Sequence, residues 1–197
     1  MMRAWRTLAL LLTATALPAQ AGVPRGWFVA GSAPQSYEVG TAPADGARGK
    51  LAAYIKAKAG IPNAGFGTLM QCIRADDYRG KRLRLSARLR SVAAASEQLW
   101  MRIDGAPPAK DQPPAVLGFY NMMDNPLRGT TGWQQRDVVL DVPAQSITIC
   151  YGFFLAGGQG EAWADGLNLA PVGKEVALSP SLPAGLPKAP TNLGFGQ

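Results

Sequence analysis

Between Lys81 and Arg90 the chain reads Lys-Arg-Leu-Arg-Leu-Ser-Ala-Arg-Leu-Arg, with an apolar residue at every second position. Leu83, Leu85, Ala87 and Leu89 share one face, and Arg82, Arg84, Ser86, Arg88 and Arg90 the other. Side chains on an extended strand alternate sides, so this period predicts a strand with one buried and one solvated face. Gln98–Asp104 alternates in the same way, with Leu99, Met101 and Ile103 opposite Trp100, Arg102 and Asp104. In Arg136–Val142, Val138, Leu140 and Val142 point inward, and Asp137, Val139 and Asp141 outward. Ser146–Leu155 is apolar throughout and suits the middle of a sheet. Phe66–Ile73, Leu117–Met122 and Glu161–Leu169 complete the clearer strand segments. Short strand-like pieces at Trp27–Val29 and Tyr37–Val39 sit among Gly and Pro, and Lys50–Ile55 reads equally as strand or helical turn. Such strands at short spacing, with Gly and Pro between them, predict an all-β sandwich or barrel.

The N-terminus departs from this pattern. Arg3 and Arg6 precede an apolar run from Thr7 to Leu17, and Ala19-Gln20-Ala21 follows as an A-x-A site. That order predicts an export signal over residues 1–21. The run is too short for the roughly 20 residues of a spanning helix. No later stretch is long enough either, so no integral membrane segment is expected after signal removal. The expected location is periplasmic or secreted, with one domain over residues 22–172 and a Pro/Gly-rich tail over 173–197. In that oxidising setting Cys72 and Cys150 are expected to form a disulfide tying two strands.

The chain has no histidine. The commonest general base and metal ligand is therefore missing, and a Ser-His-Asp triad is excluded. No nucleophile elbow, phosphate-binding loop or dinucleotide fingerprint occurs, and two distant cysteines without histidine make no zinc site. A carboxylate pair drawn from Asp76, Asp77, Glu97, Asp104, Asp124, Asp137, Asp141, Glu161 and Asp165 would be the one route to glycoside hydrolysis. Most of these lie in turns or on outward faces, where solvated acids are ordinary. No cofactor is expected; a structural calcium is compatible with Asp76-Asp77 or Asp124-Asn125, without an EF-hand spacing to place it.

The net charge of +7 falls to +5 once Arg3 and Arg6 leave with the signal. The row of Arg82, Arg84, Arg88 and Arg90 is either a solvated strand face or a grip for an anionic polymer. The most suggestive chemistry is the outward face of Gln98–Asp104. Trp100 offers a stacking surface, and Arg102 and Asp104 beside it can hydrogen-bond sugar hydroxyls. Tyr120 and Asn121 in the next strand are expected to extend that face. The alternative is that Trp100 covers the second sheet or lies under the loop Pro107–Pro114.

A set of motifs also carries a resemblance. These are Gly26-Trp27-Phe28-Val29-Ala30-Gly31-Ser32, Tyr37-Glu38-Val39-Gly40, Gly67-Thr68-Leu69-Met70-Gln71, Leu99–Gly105, Asn121–Pro126, Gly129–Trp133 and Trp163-Ala164-Asp165. Together they resemble a family of poorly characterised bacterial proteins with a galactose-binding-like jelly-roll domain, a fold shared with many carbohydrate-binding modules. The resemblance implies a jelly-roll β-sandwich of two antiparallel sheets and, by analogy of fold, a non-catalytic saccharide- or envelope-glycan-binding module. An envelope protein is the alternative partner, through the Arg row or the tail, and a glycoside hydrolase the third reading. Members are often labelled arabinose-type transcriptional regulators, but nothing here resembles a helix-turn-helix, and no nucleic acid is expected as partner. Relatives usually close with W-x-D-D, whereas this chain has Gly166 at the last position.

Overall fold

A computed structural model describes residues 22–49, 51–60 and 65–180. The export-signal segment and the tail from residue 181 onward lie outside the described residues. Eleven strands form among those described: β1 (Phe28–Ala30), β2 (Tyr37–Ala42), β3 (Ala52–Ala57), β4 (Phe66–Arg74), β5 (Arg82–Val92), β6 (Ala94–Asp104), β7 (Val116–Tyr120), β8 (Leu127–Gly129), β9 (Gln134–Asp141), β10 (Thr148–Ala156) and β11 (Glu161–Val172). One sheet, A, has the order β2-β3-β11-β5-β9; the other, B, has β1-β4-β10-β6-β7, with β8 added beside β6. Every pairing is antiparallel. The ambiguous segment near Lys50 resolves as strand β3, because its register against β2 and β11 buries Ile55.

The core lies between the sheets. Leu83, Leu85, Ala87 and Leu89 of sheet A meet Leu99, Met101, Ile103, Ile149, Phe153 and Leu155 of sheet B, all fully buried. These are the faces that the alternation predicts, and burying each Leu, Ile or Phe contributes about 1.5–3 kcal/mol. Cys72 and Cys150 face each other in the β4–β10 register and form the expected disulfide. Among the described residues no helix is long and apolar enough to cross a membrane.

Half of the arginine row of β5 is engaged. Arg82 makes a two-pronged contact with Asp141 at 2.9 and 3.0 Å and donates to the carbonyls of Lys174 and Val176. Arg88 donates to the Gly46 carbonyl and stands 5.3 Å over the Trp133 ring. Two of its four guanidiniums thus staple loops to the sheet.

Candidate functional site

Trp100, Arg102 and Asp104 lie on the outer face of sheet B, as their alternation against Leu99, Met101 and Ile103 requires. Trp100 is only 9% exposed. It pairs with Gly152 of β10, which has no side chain, and its indole Nε1 reaches across to donate to Thr68 Oγ1 on β4 at 2.9 Å. Thr68 Oγ1 in turn donates to the Phe153 carbonyl. Trp100 therefore braces three adjacent strands rather than offering its ring to solvent. Arg102 Nε donates to both carboxylate oxygens of Asp104, at 2.8 and 3.0 Å, which ties the two side chains together.

Tyr120 is not on that face. It pairs with Met101, an inward position, and packs against the core, while its hydroxyl donates to Asp124 Oδ1 at 2.6 Å. Burial, with the Asp124 carboxylate beside it, pushes the Tyr120 phenol up to about 12. The residue of β7 that does stand on the outer face is Phe119, opposite Arg102 and 45% exposed. Asn121 accepts a bond from the Met123 backbone N–H and shapes the turn after β7. The expected five-residue face thus divides: three residues share it, Tyr120 turns to the core, and Asn121 holds a turn.

A concave feature lies elsewhere, at the edge of the sandwich. β11 pairs with β3 only as far as Ala164↔Ala53, and its register against β5 shifts between Asp165 and Asn168. Gly166, within this bulge, has φ +63°, the left-handed region that glycine adopts without steric cost. Where β3 leaves β11, a cavity of about 200 Å³ runs in between the sheets. Leu69 and Phe153 of sheet B lie beneath it, Trp27 and Pro24 form one wall, and Ala164, Asp165, Gly166 and Leu167 form another. Thr41, Leu51 and Ala53 complete the lining.

Asp165 is the one acidic residue among the described lining residues and is 5% exposed; its register opposite Arg88 sets its carboxylate on the outer face of sheet A. Its Oδ2 accepts the Arg48 backbone N–H at 2.6 Å and lies 3.7 Å from the Arg88 guanidinium. The loop before β3 is held by the same group of residues. Arg88 donates to Gly46, and Trp133 Nε1 donates to the Asp45 carbonyl at 2.8 Å. The opposite wall is held by the Gln71 side-chain amide, which donates to the Gly26 carbonyl, and by an edge-on contact of Trp27 with Tyr151 at 6.0 Å. The cavity is thus lined by an aromatic residue, Trp27, a hydroxyl residue, Thr41, and apolar side chains, between two segments held in place by hydrogen bonds.

Trp27 and Asp165 belong to quoted motifs, Gly26-Trp27 and Trp163-Ala164-Asp165, but strand periodicity could not bring them together. Their meeting depends on how far β3 follows β11. Among the described residues no group of three or more metal-ligating side chains is present.

No known family model matches the chain. An uncharacterised HTH-type transcriptional regulator, YbfP of Bacillus subtilis (strain 168), is 37% identical over 173 residues, which is 87% of this chain and 56% of that protein. The chain thus spans little more than half the length of this relative. Among solved structures, a family 16 carbohydrate binding module superposes with a TM-score of 0.51 at 13% identity, covering 75% of this chain and 98% of that one. The C-terminal family 22 carbohydrate binding module of Clostridium thermocellum Xyn10B gives 0.50 at 13% identity, covering 78% and 89%. The enzymatically active domain of bacteriophage CBA120 tailspike protein 4 gives 0.53 at 12% identity, covering 75% of this chain and 20% of that one. The fold is a jelly roll. At these identities the likeness is one of architecture.

Proposed function

We propose that this chain is a periplasmic or secreted, non-catalytic saccharide-binding module, with the cavity beside the β11 bulge as its site. The observation that carries this reading is the recess itself, in which Trp27 and Thr41 stand along a largely apolar lining. An aromatic wall takes the apolar face of a sugar ring, and a hydroxyl can exchange hydrogen bonds with its hydroxyl groups. The similarity in fold to carbohydrate binding modules supports the reading. Trp100 then serves mainly to brace sheet B.

The test is a titration of the full chain with neutral and acidic saccharides, followed by calorimetry. Trp27→Ala is expected to weaken binding at least about tenfold, equivalent to 1.4 kcal/mol. Binding undisturbed by this substitution, in a variant that remains folded, overturns the site. A second reading, an interaction domain of the envelope, is favoured by Val116 and Phe119, exposed on the edge strand β7. It predicts a recovered partner protein that Phe119→Asp abolishes, and no saccharide affinity.

A further inference from the structure

The disulfide does not lie in the core. In β10, Ile149 and Tyr151 turn inward and are buried, so Cys150 between them turns to the outer face of sheet B. Its register partner Cys72 stands beside it on the same face of β4. Cys72 is exposed and Cys150 is half-buried. A thiolate must reach a sulfur to open such a bond, and exposed disulfides are accordingly the readily exchanged ones.

The two sulfurs differ in what surrounds them. Exchange proceeds by attack in line with the S–S bond, from the side opposite the leaving sulfur. The cysteines face each other across two strands, so the bond runs from strand to strand. Beyond Cys150 stands β6, with Arg102 in the facing position. On the other side β1 pairs with β4 only from Thr68 to Met70, so no described strand flanks β4 at Cys72. The open approach leads to Cys72 Sγ, with Cys150 as the leaving sulfur.

Opening the bond leaves the sheet in place. β10 pairs with β4 from Thr148↔Arg74 to Ala156↔Phe66, and with β6 over the same length. Leu69, Ile149, Phe153 and Leu155, which join these strands to the core, lie on the opposite face from the cysteines.

From these observations we propose that the Cys72–Cys150 bond is a thiol-exchange site, opened by an external small thiol while the sandwich stays folded, with Cys72 as the sulfur attacked. The external thiolate bonds to Cys72 Sγ, and the S–S electron pair leaves on Cys150, which takes a proton from water. A second external thiolate attacks the sulfur of the first, and Cys72 leaves as a thiolate and is protonated in turn. Two external thiols are thereby oxidised to one disulfide, and the protein's disulfide is reduced to two thiols. The intermediate is a mixed disulfide on Cys72, which closes again when the Cys150 thiolate attacks Cys72 Sγ.

The experiment treats the full chain with reduced glutathione at mildly alkaline pH without denaturant. Samples are quenched with iodoacetamide and both cysteines are followed by peptide mass mapping, while tryptophan fluorescence reports the fold. The expected result is reduction with native fluorescence, at a rate that changes less than about twofold between zero and about 1 M urea; exchange that waits on unfolding would speed up at least about fivefold over that interval. Such an acceleration, or no reaction in the native state, overturns the proposal. In samples quenched early, glutathione is expected on Cys72 at least about tenfold more often than on Cys150. An equal or reversed distribution overturns the direction of attack. The single variants provide a second measurement. In oxidised glutathione, Cys72 of folded Cys150→Ser is expected to take up glutathione at least about tenfold faster than Cys150 of folded Cys72→Ser. Equal rates overturn the assignment of Cys72.

Discussion

At the scale of single residues, Glu97 is the most conspicuous group. It points from β6 into the core and is 0% exposed. Neither carboxyl oxygen makes a hydrogen bond of ordinary geometry. Burial holds this carboxyl well above the usual range, outweighing the favourable Trp163 backbone and the Arg136 guanidinium. The folded state therefore keeps a proton that the unfolded chain loses near the ordinary glutamate range. Stability contributed by this group is full below that range and falls as pH rises through it toward the folded value. Glu97→Gln keeps the shape and cannot ionise. It is expected to raise the thermal midpoint at pH 8, to change it little at pH 4, and to flatten the slope between. Equal shifts at both pH values would contradict the assignment.

Two further residues separate bracing from binding. Trp100→Phe removes the donor to Thr68 and is expected to cost about 1–3 kcal/mol in urea unfolding, with saccharide affinity unchanged. A loss of affinity without a loss of stability would return a ligand role to Trp100. Gly166 has φ +63°, and nothing stands within 4 Å of a Cβ built there. Space is free but the backbone is not, so Gly166→Ala is expected to cost about 1–2 kcal/mol. Gly166→Asp should cost less because aspartate tolerates the left-handed region better.

Among elements, the bulge of β11 and the early end of β3 make the cavity, and a short extension guards the other edge. After β11 the chain turns along β9, where the Ser179 N–H donates to the Val139 carbonyl and Ser179 Oγ accepts from the Val139 N–H. Arg82 anchors this extension through the Lys174 and Val176 carbonyls, and Asp141 orients Arg82. Arg82 first, and Lys174 as well, hold the Asp141 carboxyl down at about 2. Its contribution is present above the ordinary aspartate range and is lost as pH falls toward 2. Arg82→Ala is expected to free the extension and to speed tryptic cleavage after the exposed Lys174 severalfold, with little change in the core transition. Cleavage at the wild-type rate would show that the strand contact alone suffices.

Across the whole molecule, the disulfide joins β4 to β10 over 78 positions, at the centre of sheet B. Closing a loop of that length restricts the unfolded chain by about 4 kcal/mol on the chain-entropy model. For a chain of this size, replacing both cysteines by serine is expected to lower the thermal midpoint by about 8–16 °C. A change below about 2 °C would mean that the sheet register, not the cross-link, carries the stability. The antiparallel pairings on either side of β10 keep the same strands adjacent, so the jelly roll itself is expected to persist.

What the sequence alone determined is the set of faces. Alternation assigned Leu83, Leu85, Leu89, Leu99, Met101 and Ile103 to the core, because a period of two leaves a strand only one buried side. From this and the motif likeness the all-β class and the jelly roll were legible, and the expectation of export with two cysteines pointed to the Cys72–Cys150 bridge. Alternation says nothing about lateral neighbours or the lie of a side chain along its face. Trp100 became a brace because Gly152 happens to sit beside it and Thr68 one strand further. Tyr120 turned inward because the β6–β7 register sets it against Met101, and Phe119 took the outer position. The cavity was beyond the sequence for the same reason: Trp27, Thr41 and Asp165 meet only where β3 departs from β11, and the length of a pairing is settled by packing between the sheets rather than by the pattern of either strand.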